Sequence, residues 1–153
     1  MKVLVDADAC PVKNIIENIA EKYSIKVIMI TDSSHIISSE YSEVVTVSQG
    51  KDAADIALIN MTNKGDVVVT QDYGVATMAL SKSAYAVGNS GLVYTEENID
   101  KLLFERFLSG KIRRSGKKAK GAFKPHKRTL ADDEAFKTNF ENLLLKLINS
   151  DTI

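Results

Sequence analysis

Five aspartates in three short stretches of this chain could together form a metal-dependent hydrolytic site. They are Asp6, Asp8, Asp52, Asp55 and Asp72. Two of the stretches follow short apolar runs, and the third holds a pair three residues apart, a spacing that puts both side chains on one face of a helix. Carboxylates that lie close together raise one another's pKa unless a cation neutralises them. Mg²⁺ and Mn²⁺ prefer such oxygen ligands, so the pattern favours a divalent-metal site and phosphoryl chemistry, in which a metal ion activates water.

Other familiar chemistries lack their motifs in this sequence. It contains no GxxxxGK[ST] loop, no GxGxxG turn, no HExxH helix and no cysteine and histidine spacing typical of zinc. Cys10 lies at a predicted helix start, where a thiol pKa can fall, but no histidine lies near it in sequence and a packing role is favoured. His35 follows a predicted strand and could line the same crevice as the aspartates.

The elements that must position these aspartates alternate between strands and helices. Apolar runs predict strands at 3–5, 25–30, 44–47, 67–70, 84–87 and 92–94. Helical periodicity predicts helices at 12–23, from 48 or 50 to 61, at 75–81, after Thr95, and at 132–148. Strand, helix and strand within about 30 residues indicate a parallel sheet. In such sheets ligands bind beyond the carboxyl ends of the strands, where Asp6, Asp8 and Asp72 are expected. Pro11 suits a first helical turn, with Asp8 as the preferred cap among 8–10.

Length and composition predict an ordinary globular protein. The chain has 153 residues, 44% of them apolar and 26% charged, which fits a single α/β domain over 1–153. No apolar run approaches the roughly 20 residues of a membrane-spanning helix, and the first residues do not resemble a signal peptide. A single cysteine cannot form a disulfide within the chain, which fits a reducing compartment. We therefore expect a cytoplasmic protein without membrane contact.

The net charge of zero hides a basic segment at 111–128. It holds nine lysines and arginines and no acid, leaving 11 basic residues against all 20 acids elsewhere. Because Gly116, Gly121 and Pro125 interrupt it, an extended or mobile segment is expected here. Such a charge excess favours salt-sensitive nucleic-acid binding, although a solvated tail or one that neutralises the acidic remainder would look the same in sequence. The candidate phosphate contacts are Lys51, Arg113, Arg114, Lys117, Lys118, Lys120, Lys127 and Arg128.

The chain also resembles the YaiI/YqxD family of uncharacterised bacterial proteins over nearly its whole length. The resemblance is carried by 6–12, 52–55, 70–74 and 113–128. That family is similar to the PIN-like and NYN groups of metal-dependent ribonucleases, which implies a three-layer, mainly parallel PIN-like fold. It further implies that Asp6 is the first acidic position, Asp55 or else Asp52 the helix position, and Asp72 the later strand-end position, with Asp8 as a further candidate.

The sequence therefore predicts a Mg²⁺- or Mn²⁺-dependent nuclease that acts on RNA. Asp6, Asp8, Asp55 and Asp72 are its predicted catalytic residues, and Asp52 joins them as a predicted metal ligand. The alternative is a nucleic-acid or nucleotide binding protein whose acidic site is vestigial. A phosphohydrolase of small molecules is a third interpretation, because the same metal chemistry serves phosphomonoesters.

Overall fold

A computed structural model describes residues 1–8, 10–114 and 127–150 of the chain. Its strands are Val3–Asp6 (β1), Val27–Asp32 (β2), Glu43–Val47 (β3), Val67–Val69 (β4) and Tyr85–Val87 (β5). Its helices are Lys13–Lys22 (α1), Lys51–Met61 (α2), Tyr73–Ser81 (α3), Glu96–Arg114 (α4) and Leu130–Ser150 (α5). The α/β alternation predicted from sequence is confirmed.

The strands form one sheet in the order β3-β2-β1-β4-β5, and every pair of neighbouring strands is parallel. The three central strands are rich in Val, Ile and Leu and almost completely buried, as expected of a parallel sheet covered on both faces. β1 lies in the middle because β2 and β3 follow on one side of it, whereas β4 and β5 are added on the other.

Helices cover both faces of this sheet, so the three-layer architecture is confirmed. Val3 and Val5 of β1 belong to an apolar cluster with α1 and α5, whereas Leu4 belongs to a second cluster with α2 and α3. This division follows from the alternation of side chains along a strand. On the first face, Phe136 and Phe140 of α5 are fully buried and stack with their ring centroids 5.2 Å apart. The final helix therefore packs back on the sheet, as its apolar periodicity predicts.

Two local predictions are wrong. The stretch 92–94 is not a strand, and Val93 forms only an isolated antiparallel bridge to Val87. Residues 111–114 are not extended but form the last turn of α4. Lysine and arginine are good helix formers, and their charges interact favourably with the negative end of the helix dipole. Residues 115–126 of the basic segment lie outside the described part of the chain.

The predicted cap of the first helix is also wrong. α1 begins at Lys13, its N-cap position is Val12, and no side chain caps it. Pro11 lies in the turn before the helix, while Asp8 makes contacts elsewhere. Among the residues that the structure describes, every helix is too short or too polar to span a lipid bilayer.

A largely buried ion pair joins the starts of β1 and β4, at the edge of the sheet opposite to the predicted site. Lys2 Nζ lies 2.6 Å from Asp66 Oδ2, and the Asp66 side chain is 5% exposed. Backbone N–H groups of Lys2 and Asn63 also donate to this carboxylate. Burial alone would raise the pKa of Asp66, but the Lys2 ammonium and the two N–H donors outweigh it and the pKa is lowered.

We expect Asp66→Asn to destabilise the protein by about 2 kcal/mol at pH 7, because it leaves the Lys2 ammonium without its charged partner. A pKa that folding lowers adds stability above about pH 4 and loses that stability as the pH falls further. Urea unfolding should therefore show a smaller difference at pH 3 than at pH 7. Glu43→Gln is the control, since its pair with Lys26 is exposed and should contribute under about 0.5 kcal/mol. Equal effects of both changes would contradict this prediction.

Candidate active site at the carboxyl edge of the sheet

The strand order creates a crevice at the carboxyl end of β1. Ligands of open α/β sheets bind where the order of strands reverses, and here that point lies between β1 and β4. Asp6 is the last residue of β1, Asp32 is the last residue of β2, and Thr70 directly follows β4. Three neighbouring strands therefore deliver polar side chains to one edge.

Thr70 joins the ends of β1 and β4. Its hydroxyl donates to Asp6 Oδ2 at 3.0 Å and accepts a hydrogen bond from the backbone N–H of Asp72, also at 3.0 Å. Thr70 is 1% exposed, so this bridge is shielded from water. A buried hydroxyl with both partners in place has a fixed orientation. Two of the predicted catalytic residues, Asp6 and Asp72, are thus held at adjoining strand ends by one side chain.

Asp72 also caps α3. Its Oδ1 accepts the backbone N–H groups of Gly74 at 2.8 Å and Val75 at 3.2 Å. Capping and a role in the site are therefore not exclusive alternatives for this residue. The cap fixes the position of the carboxylate on the helix start.

A pocket of about 420 Å³ lies between α2 and α3 and brings Asp55 to the same space as Asp72. The other residues that line it are Ile56, Ile59, Asn60, Gly74, Val75 and Met78. Asp52 belongs to the same helix as Asp55 but is exposed and does not line the pocket. Of the two aspartates that the sequence offers for the helix position, Asp55 is the one that shares a pocket with a strand-end carboxylate.

A second polar group lies over the ends of β1 and β2. Asp8, Asp32 and His35 each offer one ligand atom, and these three atoms lie within 4.8 Å of one another. His35 Nδ1 is 3.2 Å from Asp8 Oδ1 and 3.2 Å from Asp32 Oδ1. Among the residues that the structure describes, no other group of three or more acids, histidines or cysteines has ligand atoms this close together. Asp8 is therefore grouped with Asp32 and His35 rather than with the other predicted aspartates.

Protein donors already hold both carboxylates of this group. Asp8 accepts from the Thr31 hydroxyl and from the Asp32 N–H, which ties the loop after β1 to the end of β2. Asp32 accepts from the hydroxyl and the N–H of Ser34, and these bonds, with a smaller contribution from His35, lower the pKa of Asp32. Two carboxylate oxygens and an imidazole nitrogen can bind a divalent cation. The same side chains also stabilise the turn at 32–35 through the hydrogen bonds that Asp32 makes with Ser34 and His35.

Sequence reasoning misses Asp32 as a site residue. Its signal is the one that selects Asp6: it is the first acid after a buried apolar run, here 25–30. The polar residues that follow it, 33–35, are typical of an ordinary turn, so the sequence does not indicate that Asp32 ends the strand beside β1. His35, which the sequence offers as a candidate for lining the crevice, lies beside Asp8 and Asp32 at this edge, and 54% of its side chain is exposed.

The predicted nucleic-acid contacts fall in different places. Arg113 and Arg114 are exposed at the end of α4, and Lys127 is exposed before α5. Arg128 has structural partners, because its guanidinium contacts Asp133 Oδ1 at 2.7 Å and the carbonyl of Asn89 at 2.9 Å. Lys117, Lys118 and Lys120 lie outside the described residues, as does the side chain of Lys51 at the start of α2.

One family model matches the chain from residue 4 to residue 146, a span that includes β2 to β5, all of β1 but its first residue, and the polar groups at the carboxyl ends of these strands. Its description is an uncharacterised bacterial group, the YaiI/YqxD family. The chain belongs to this family. The resemblance carried by the aspartate motifs and the basic segment is thereby confirmed.

Curated relatives of this YaiI/YqxD chain extend over almost the same length. A UPF0178 protein of Alkaliphilus oremlandii is 50% identical over 100% of this chain and 94% of its own length. A UPF0178 protein of Clostridium acetobutylicum is 49% identical over 95% of this chain and 98% of its own. A UPF0178 protein of Ruminiclostridium cellulolyticum is 55% identical over 89% of this chain and 87% of its own length. No solved structure matches the chain significantly. These names state no activity, so the function has to be argued from the site.

Cys10 lies close to the carboxyl edge but is buried, and its thiol lies 3.9 Å from Asn89 Oδ1. Burial raises the pKa of Cys10, while the Val12 N–H and the Lys13 charge oppose that change more weakly. A thiol that stays protonated at neutral pH is a poor nucleophile, which supports the packing role favoured from sequence.

We therefore expect Cys10 in the folded protein to react with a chromogenic disulfide reagent at pH 8 at least about 10-fold more slowly than in about 8 M urea, since both burial and the raised pKa limit the thiolate. Absorbance of the released thiolate measures both rates. Free cysteine at the same pH and urea concentration is the control for the reagent itself. Rapid labelling of the folded protein would instead indicate an accessible, activated thiol.

Proposed function

We propose that this protein is a Mg²⁺- or Mn²⁺-dependent nuclease that hydrolyses phosphodiester bonds in RNA. The observation that carries the proposal is the arrangement of Asp6, Thr70 and Asp72 at the reversal of strand order between β1 and β4. Asp55 adds a third carboxylate, because it lines a pocket together with Asp72.

The donors at this edge fit a hard divalent cation. Asp8, Asp32 and His35 have ligand atoms that already lie close enough together to hold it directly. The oxygens of Asp6, Asp55 and Asp72 do not form such a close group, so these carboxylates would contact it partly through coordinated waters, several of which Mg²⁺ usually keeps. When bound, such a cation lowers the pKa of a coordinated water and offsets the negative charge of the phosphate. Thr70 contributes by orientation, since its hydroxyl fixes Asp6 relative to the start of α3.

The pocket beside these carboxylates supports a nucleotide substrate. Its walls are largely aliphatic, from Ile56, Ile59, Val75 and Met78, and Asn60 adds an amide that can donate and accept hydrogen bonds. An uncharged base can enter such a space, whereas a phosphate placed directly against Asp55 and Asp72 would be repelled without a cation. We place the base in the pocket and the phosphate at the strand ends.

The exposed cations Arg113, Arg114 and Lys127 support a polymeric substrate rather than a free nucleotide. Positive side chains that do not line the pocket would contribute little to the binding of a ligand small enough to fit inside it. A nucleic-acid backbone would extend past the pocket and release counterions on meeting these side chains.

We expect Asp6→Asn/Asp72→Asn to reduce RNA cleavage at least about 100-fold, because both changes remove negative oxygen ligands and keep side-chain size. The measurement is the rate of cleavage of single- and double-stranded RNA with Mn²⁺, with Mg²⁺ and with EDTA. Cleavage by the unmodified protein should require the metal.

Asp52→Asn is the matched control, since Asp52 is an exposed aspartate on the helix that carries Asp55 but does not line the pocket. It should keep at least about half of the activity. Binding of RNA without cleavage in either metal would support a non-catalytic binding protein. Hydrolysis of small phosphomonoesters but not of RNA would support a small-molecule phosphohydrolase.

The proposed role of the basic residues predicts how RNA affinity depends on salt concentration. Arg113→Gln/Lys127→Gln should weaken RNA binding and reduce the slope of log affinity against log salt concentration by about 2, if each side chain contacts one phosphate. Fluorescence anisotropy of a labelled RNA in EDTA measures binding without cleavage. Lys137→Gln/Lys146→Gln, at two exposed positions of α5, removes the same charge and should change the slope less. An equal change for both double variants would indicate a general charge effect.

A further inference from the structure

One face of α4 exposes a contiguous set of large apolar side chains. Leu103 is 38% exposed, Phe104 59%, Phe107 56% and Leu108 41%. Elsewhere the helix packs on the protein, where Ile99 is buried and the Arg106 guanidinium lies 4.4 Å from the centre of the Tyr73 ring. Apolar patches of this kind on a protein surface commonly mark an interaction site.

A regular stripe of six residues runs along the exposed face. It consists of Glu97, Asp100, Phe104, Phe107, Lys111 and Arg114, all of them exposed. The alternating spacing of three and four residues keeps them on one side of the helix, as in the seam of a coiled coil. We call these six residues the α4 seam.

The residues of the α4 seam are placed symmetrically about its middle, and the charges at its two ends have opposite signs. Phe104 and Phe107 are equally distant from the midpoint between residues 105 and 106, and so are Asp100 and Lys111, and Glu97 and Arg114. Two acids therefore stand at one end, two phenylalanines in the middle and two basic residues at the other end.

A second copy of the same helix is complementary to this pattern in one orientation. If the copy is turned end over end about a two-fold axis at the midpoint, Phe104 lies opposite Phe107, and Asp100 lies opposite Lys111. Each contact then occurs twice, as it must at an interface that uses one patch from both subunits. In the parallel orientation acids would face acids and basic residues would face basic residues, which is unfavourable.

We propose that α4 is a homodimer interface in which two copies of this protein pair antiparallel through the α4 seam. Leu103 and Leu108 flank the two phenylalanines, so four apolar side chains from each copy meet across the interface. The helix has 19 residues and is about 28 Å long, which places the contact near the low end of specific interface areas. The dimer should therefore dissociate in the micromolar range.

A nucleic acid is a poorer occupant of this face. Glu97 and Asp100 make one end of the α4 seam acidic, and a phosphate backbone laid along it would be repelled there. The self-complementary arrangement has no such conflict. The dimer proposal does not depend on the proposed nuclease activity. Arg114 is the one residue of the α4 seam that is also a candidate phosphate contact, and the charge exchange uses Asp100 and Lys111 instead.

Charge exchange tests the proposal with the full-length protein. Asp100→Lys places lysine opposite Lys111, and Lys111→Asp places aspartate opposite Asp100, each of them twice per dimer. We expect each single variant to weaken dimerisation at least about 10-fold. An equimolar mixture of the two variants should dimerise again, because both charge pairs of the mixed dimer join opposite charges. The double variant Asp100→Lys/Lys111→Asp should also dimerise.

Sedimentation velocity from about 1 µM to about 500 µM measures these equilibria. Glu105→Lys is the control, since Glu105 is an exposed acid of the same helix outside the α4 seam. It should leave the dimer unchanged, whereas Phe104→Ala/Phe107→Ala should abolish it. Circular dichroism identifies any variant that does not fold, and the double variant then tests the charge pairs in its place. A monomer at all concentrations, or a mixture that stays monomeric, would overturn the proposal.

Discussion

The pairing of β1 with both β2 and β4 is the constraint on which the rest of this structure depends. β1 has only four residues, three of them completely buried, and it supplies the centre of both apolar clusters. Because parallel strands end at the same edge, polar residues at or just after the end of each buried run are brought to the crevice there. Asp32 and Thr70 therefore lie at the ends of the two strands that flank Asp6, although 64 residues separate Asp6 from Thr70 in sequence.

Much of the architecture is predictable because its signals are local. Buried parallel strands require continuous apolar runs, and those at 3–5, 25–30 and 67–70 are evident in the sequence. The apolar stripe of the last helix likewise predicts that it packs on the sheet. The end of α4 is harder to predict, since Gly110 and the dense positive charge of 111–114 resemble a helix terminus, yet the helix continues through them. Gly110 has open space around it and is tolerated within the helix.

The candidate site is only partly predictable because its contacts are not local. Sequence identifies Asp6, Asp55 and Asp72 as acids at strand ends and on a helix, but no short stretch determines the strand order that puts β4 beside β1. The nearby proline favours Asp8 as a helix cap, whereas its partner is Thr31 on the neighbouring strand. The role of Thr70 cannot be inferred from sequence, because a threonine after a strand has no evident function until its two partners are known.

The two links between β1 and β4 have a consequence for motion. Strands usually fray from their ends, where the ladder has a neighbour on one side only. Here Lys2 and Asp66 close the ladder at its start, and Asp6 and Thr70 close it at its finish. The backbone amides of this short central ladder should then exchange with solvent only through global opening of the protein. The carboxylates that it carries would be held as rigidly as the core itself, and adaptation to different substrates would fall to the helices around the pocket.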